Sequence, residues 1–160
     1  MRRVLVTGMS GLIGETVRRR LEGRWALRAL NRRPLEGVET HQADIGDLDA
    51  IVPAFRDVDA VVHLAANVAN VEGTPGWEAV LRDNVIGTYH VFEAARRASV
   101  KRVVYASSGA TVSRIERDPP YAALAAGRYD EVVEWPILTH ESPMRPNGLY
   151  GCSKIWGEDE

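Results

Sequence analysis

Arg3-Val4-Leu5-Val6-Thr7-Gly8-Met9-Ser10-Gly11-Leu12-Ile13-Gly14 is the stretch that decides the fold. A short β-branched run stops at a glycine-rich turn, and Leu12, Ile13, Val17 and Leu21 then recur at the spacing of one helix face. Strand, tight turn and helix in that order bring backbone amides and the positive end of a helix to one point, where a diphosphate can be gripped. Glycines are needed there because Cβ atoms would hold the anion away. Their spacing is G-x-x-G-x-x-G rather than G-x-G-x-x-G, and without its context the stretch is equally a tight turn with no ligand.

Downstream, Gly23 stops the first helix and Trp25 to Leu30 alternates as a second strand, broken by Arg32, Arg33 and Pro34. Glu39 to Ala43 is a short third strand. Asp47 caps a helix whose Leu48, Ile51, Val52 and Phe55 share a face. Ala60 to Ala66 is apolar except for His63, as expected of a strand covered on both sides. A long helix follows from Trp77 to Ala98, with Val80, Leu81, Val85, Tyr89, Phe92 and Ala95 turned inward, and then a strand from Lys101 to Ser107. Such alternation builds a parallel sheet with helices on both faces, so the fold class is α/β, a Rossmann-like doubly wound sheet. The Pro- and Gly-rich segment Gly109 to Leu149 reads as a long functional loop, with Asp130, Glu131 and Glu134 as a charged helix face over Val132 and Val133. Tyr150 to Glu158 opens a last helix.

The chain has 160 residues, a net charge of −2, 45% hydrophobic and 26% charged residues, so residues 1–160 are expected to form one domain with a real core. Near-neutral charge gives no field to gather nucleic acid, and no apolar stretch approaches the roughly 20 residues that span a bilayer. One cysteine, Cys152, permits no internal disulfide and reads as a small packed side chain; the cytoplasm is the expected compartment. His41, His63, His90 and His140 lack ligand spacing, so no metal is expected. Trp25, Trp77, Trp135 and Trp156 read as core or loop anchors.

Tyr150 and Lys154 lie four apart, so on a helix they share a face and an ammonium stands near a phenol. A neighbouring cation favours a phenolate, which makes a tyrosine base chemically reasonable. Ser108 follows a strand at its carboxyl end, where open α/β sheets bind ligands, and its hydroxyl can orient a substrate hydroxyl or carbonyl. After the second strand, Leu30-Asn31-Arg32-Arg33 carries no carboxylate for a ribose 2′-hydroxyl. Two guanidiniums there lean toward NADP over NAD, or else form a solvated turn.

Six motifs in order carry a resemblance: Thr7-Gly8-x-x-Gly11-x-x-Gly14, Asp44-Ile45 with Asp47, His63-Leu64-Ala65-Ala66, Asp83-Asn84-Val85-x-Gly87-Thr88, Tyr105-Ala106-Ser107-Ser108-Gly109 and Tyr150-Gly151-x-Ser153-Lys154. The chain resembles the extended short-chain dehydrogenase/reductases, the NAD-dependent epimerase/dehydratase family. The resemblance implies a Rossmann domain holding NAD or NADP. It puts Gly8, Ser10, Gly11, Leu12, Ile13 and Gly14 at the diphosphate, Asn31 and Arg32 at the adenosine ribose, Asp44 and Ile45 at the adenine, and Leu64, Ala65 and Ala66 along the cleft. It makes Tyr150 the acid/base, Lys154 its ribose-binding partner, Ser108 the substrate-positioning hydroxyl and Asn84 a structural support. Gly109 and Ala110 stand where the family's dehydratases carry an acidic pair, which disfavours dehydration.

Two functions follow as expectations. The first is an NAD(P)-dependent epimerase or dehydrogenase of a sugar or nucleotide sugar; the second is a nucleotide-binding module without catalysis of its own. The resemblance also implies a C-terminal substrate domain that is absent from these 160 residues, and a homodimer through the long helix and the Tyr150 helix. Tyr150 to Glu160 is short for a helix in water, so its last turn is expected to fray or to need another chain.

Overall fold

The computed structural model describes residues 1–68, 76–135 and 137–159. Strand β1 (Arg3–Thr7) leads into α1 (Leu12–Leu21), β2 (Ala26–Asn31), β3 (Glu39–Gln42) and α2 (Leu48–Ile51), which tightens into a 3-10 turn over Val52–Phe55. Then come β4 (Ala60–His63) and a continuous helical run made of α3 (Trp77–Val80), a π-helical turn (Leu81–Ile86) and α4 (Gly87–Arg97). β5 (Arg102–Tyr105), α5 (Tyr121–Ala125) and α6 (Leu149–Glu158) complete the chain, with short 3-10 turns at Gly109–Thr111, Ser113–Arg117 and Tyr129–Glu131.

All five strands are parallel, in the order β3-β2-β1-β4-β5. This is the doubly wound order in which the chain reverses direction beside β1, and it opens a crevice beyond the carboxyl ends of β1 and β4. Period-two alternation splits the core into two layers. Val4 and Val6 pack with Met9 and Ala29 against Val17 and Leu21 of α1, while Leu5 and Val61 pack with Ile51, Phe55, Val91 and Ala94 on the other side. Leu5, Phe55, Ile51 and Val61 are fully buried, each contributing about 1.5–3 kcal/mol. Asp47 caps α2 by accepting from the Ala50 N–H at 3.0 Å.

Five expectations are corrected here. β4 ends at His63 rather than Ala66: the Leu64 N–H is shared between the Thr7 carbonyl and hydroxyl, and the Ala65 N–H turns to that hydroxyl. The inward face of the helical run is only partly the apolar stripe read from sequence: Val80 and Ala95 are buried, but Tyr89 is 47% exposed and Asp83, Asn84 and Thr88 are buried as well. The π turn carries an extra residue, and its phase shift rotates paired polar groups inward. Residues 130–134 make no helix face, since only Tyr129–Glu131 form a turn and Val133 is 93% exposed. Trp77 and Trp135 are exposed rather than anchored, and Cys152 faces solvent because Ser153 and Lys154 occupy the inward side of α6.

The last helix is also ordered against this chain's own elements, contrary to expectation. Four contacts hold it: the Lys154 ammonium donates to the Ala106 carbonyl at 2.8 Å, Asn84 donates to Ser153 Oγ at 3.0 Å, Ser107 donates to Glu158, and Gly157 packs against the hydroxyl end of the Tyr105 ring. Tertiary packing supplies what its length does not.

Candidate active site

The Gly8 turn explains which glycine serves what. Gly8 has φ +69°, and a Cβ there would stand 2.8 Å from the Ala65 amide nitrogen, so β4's continuation needs it bare. A Cβ on Gly14 would reach 2.5 Å from the Gly8 carbonyl oxygen, so Gly14 lets α1 close on the turn. Gly11 is different: a Cβ would meet only the Gly8 oxygen at 3.4 Å, and its α-carbon is exposed. Two of the three glycines serve the fold, and the third leaves room for a ligand's approach. Leu12, Ile13 and Gly14 follow at the start of α1, where backbone N–H groups have no intrahelical acceptor and Gly11 offers no side-chain cap.

A cleft of about 890 Å³ opens beside this turn. Gly8, Ser10 and Gly11 line one wall, Asn31 and Arg32 the end of β2, Asp44 and Ile45 the segment after β3, and Leu64, Ala65 and Ala66 the continuation of β4. Leu12, Ile13 and Gly14 do not line it: the Leu12 and Ile13 side chains project into solvent and Gly14 is buried under the turn. Asn31 donates to Ser10 Oγ at 3.1 Å and to the Arg33 carbonyl at 3.3 Å, which fixes its amide and turns the carbonyl oxygen to acceptor duty. Arg32 and Arg33 are exposed at the rim. Asp44 receives the Gly46 N–H at 2.8 Å and stands 4.0 Å from the Arg82 guanidinium.

Sequence reading missed the polar frame behind this wall. Thr7 Oγ1 accepts the Leu64 and Ala65 amides at 3.2 and 3.1 Å, so both lone pairs are used and its proton goes to His63 Nδ1 at 2.6 Å. The other imidazole nitrogen therefore carries the proton and donates to Thr88 Oγ1 at 3.1 Å. Burial first, and the Lys154 charge second, hold His63 down to about pKa 3, as a neutral ring in this frame requires. Asn67 and Asp83 also line the cleft; Asn67 donates to Asp83, whose other oxygen takes Arg82 Nε at 2.6 Å. A lone histidine closing an apolar strand opposite Thr7 was the available signal, since a buried imidazole needs partners.

Ser108, after the end of β5, and Tyr150 and Lys154, on α6, lie outside the cleft lining. Ser108 Oγ accepts the Ala110 N–H at 3.2 Å and caps the Gly109–Thr111 turn, against which α6 packs. Its own proton has no acceptor among the described residues. Lys154 is 3% exposed, and its ammonium sits 5.7 Å from the Tyr150 ring centre and 4.7 Å from that of Tyr105. Burial lowers Lys154 to about pKa 8. Asn84 pairs with the Asn67 backbone at 2.7 and 2.8 Å and with Ser153 at 3.0 Å, tying the cleft wall to α6 as the expected structural support.

Residues 4–160 match the model of the NAD dependent epimerase/dehydratase family. The chain belongs to that family. This NAD-dependent epimerase/dehydratase family member is 33% identical over 99% of its length to L-arabinose 1-dehydrogenase (NAD(P)(+)) of Haloferax volcanii, covering 59% of that protein. It is 32% identical to the uronate dehydrogenase of Pseudomonas putida, covering 53% of it. In structure it resembles uronate dehydrogenase from Agrobacterium tumefaciens, with a TM-score of 0.75 and 32% identity over 99% of this chain and 54% of the other. The family member thus spans between about half and three fifths of these relatives. Its Rossmann-like parallel sheet is the family's.

Proposed function

We propose that the chain is the nucleotide-binding and proton-transfer part of an NAD(P)-dependent sugar dehydrogenase or epimerase. The single observation that carries this reading is the tie made by Asn84, which joins Asn67 on the wall of the cleft beside the bare Gly11 turn to Ser153 on the helix that carries Tyr150 and Lys154. The cleft's donor set fits a dinucleotide. Uncommitted amides at the start of α1 suit a diphosphate, the fixed Asn31 carbonyl oxygen suits a ribose hydroxyl, and Asp44 suits an exocyclic amine. Arg32 and Arg33 at the rim favour a 2′-phosphate, hence NADP over NAD. When bound, the dinucleotide supplies a hydride acceptor at its nicotinamide ring.

The chain's own residues do the rest. Tyr150 Oη takes the proton of a substrate hydroxyl as the carbon below it is oxidised, and returns one when the carbonyl is reduced. Lys154, fixed by the Ala106 carbonyl, holds a positive charge beside that phenol. Ser108 donates its free proton to the substrate oxygen and so fixes it over Tyr150. The dehydrogenases among the relatives are named for L-arabinose, uronate and glucose 6-phosphate, which makes a sugar hydroxyl the substrate class we favour. Exposed Trp77, Ile86 and Tyr89 on the helical run offer an apolar face for a homodimer.

Replacing Tyr150 with Phe tests the reading, because it removes one oxygen and leaves the cleft untouched. The expected result is loss of turnover on uronates or aldoses with unchanged NADH and NADPH affinity by fluorescence titration. Turnover equal to the parent chain overturns the assignment. Nucleotide binding with no turnover in the parent chain itself favours a binding module.

A further inference from the structure

The Lys154 ammonium is buried and has no carboxylate within ion-pair range among the described residues. A buried ammonium stripped of water needs compensation, or it gives up its proton. Two groups stand closest to it, with the Tyr150 ring centre farther off at 5.7 Å. The Ala106 carbonyl accepts one N–H at 2.8 Å, and the Tyr105 ring lies under the charge with its centre 4.7 Å away.

The Tyr105 ring is held in place from several sides. It stands at the end of β5, its centre 5.6 Å from that of His63 and 6.3 Å from that of Phe92. Gly157 presses its opposite edge so closely that a Cβ there would come within 2.5 Å of the phenol carbon and oxygen. The Ala106 carbonyl is equally fixed, because the Ala106 N–H donates to the His63 carbonyl at 3.1 Å. Tyr105 Oη itself is buried with no hydrogen-bond partner among the described residues, an arrangement that hydrogen bonding does not explain. The face of the ring, not its hydroxyl, is the part in use.

We infer that Tyr105 is a positioning residue: its ring face and the carbonyl that follows it form the seat of the Lys154 ammonium and so set where that charge stands beside Tyr150. This rests on the acid/base reading of Tyr150 given above, although the seat itself is read from contacts alone. The ionisable groups around the seat are His63 from β4, Tyr105 from β5, and Tyr150 and Glu158 from α6.

Lys101 and Lys154 are the only lysines in the chain, so lysine labelled with carbon-13 at Cε gives two resonances, assigned through Lys101→Arg. In the parent chain the Lys154 Hε signal is expected upfield of Lys101 by the ring current. Tyr105→Phe should keep that displacement and the titration midpoint. Tyr105→Leu should lose most of the displacement and move the midpoint down by about half a pH unit or more. Tyr150→Leu should retain the displacement, which holds the test open where Tyr105→Leu does not fold. Kinetically, Tyr105→Leu should lower kcat several-fold at unchanged nucleotide KM. A Lys154 resonance unmoved in Tyr105→Leu, or one whose displacement vanishes in Tyr150→Leu instead, overturns the seat. Parent-like turnover in Tyr150→Phe overturns the acid/base reading, so the two failures show in different measurements.

Discussion

Asn84 and Ser153, 69 residues apart, share a 3.0 Å hydrogen bond that joins the helical run to α6. The same Asn84 amide completes a backbone-like pair with Asn67, accepting its N–H and donating to its carbonyl. Ser153 then passes its own proton to the Tyr150 carbonyl at 2.8 Å. Every donor and acceptor of the Asn84 amide is thus used, and the cleft wall, the π turn and the first turn of α6 are one unit.

Asn84→Leu leaves the half-buried Asn67 N–H and carbonyl and the buried Ser153 hydroxyl without this partner and should cost about 1–3 kcal/mol in urea unfolding. Ser153→Ala removes two bonds, the one from Asn84 and the one to the Tyr150 carbonyl, and should cost about 1–3 kcal/mol. Hydrogen exchange in α6 should quicken in both. Equal stability of Asn84→Leu and the parent chain would show that the unit is not cooperative.

His63 gives the fold an acid limit. Its folded-state pKa is depressed from 6.5 to about 3, so below pH 6.5 the unfolded chain binds a proton that the folded chain refuses. Its contribution is whole above pH 6.5 and is lost at about 1.4 kcal/mol for each pH unit down toward 3. His63→Asn, which cannot take up that proton, should flatten the slope between pH 6 and 4. A parent-like slope in the variant would assign the acid sensitivity elsewhere.

The fold was legible because its signals are local and periodic: the Thr7 to Gly14 turn, the Leu48 to Phe55 face and the apolar β4 run each specify one element. The site was partly legible. Gly11 and Asn31 were readable from their place after strands and Asp44 from the family resemblance, and all three line the cleft. The frame of Thr7, His63 and Thr88 was not, because sequence reading weighs apolar stripes and these buried groups are polar, made tolerable only by partners from three elements. Tyr89 was misplaced for the same reason, since Asn84 and Thr88 hold the inward side. α6 looked too short because propensity was counted without the Ala106 and Tyr105 contacts that anchor it.

Under the proposed acid/base reading, Lys154 sets an alkaline limit on turnover. Burial lowers it from 10.5 to about 8, so above pH 8 the folded protein loses the charge that stands beside Tyr150. The pH profile of kcat is expected to fall above about pH 8. A profile that stays level up to pH 10 would place that charge outside the reaction.

The central claim is that a dinucleotide diphosphate approaches the bare Gly11 backbone. Gly11→Val is the direct probe, because a side chain there has room in the free fold while the same change at Gly14 does not. NADPH and NADH fluorescence titrations, with urea unfolding as the control, should show Gly11→Val folding like the parent with affinity lower by about a hundredfold or more. Parent-like affinity in a folded Gly11→Val chain would contradict the account.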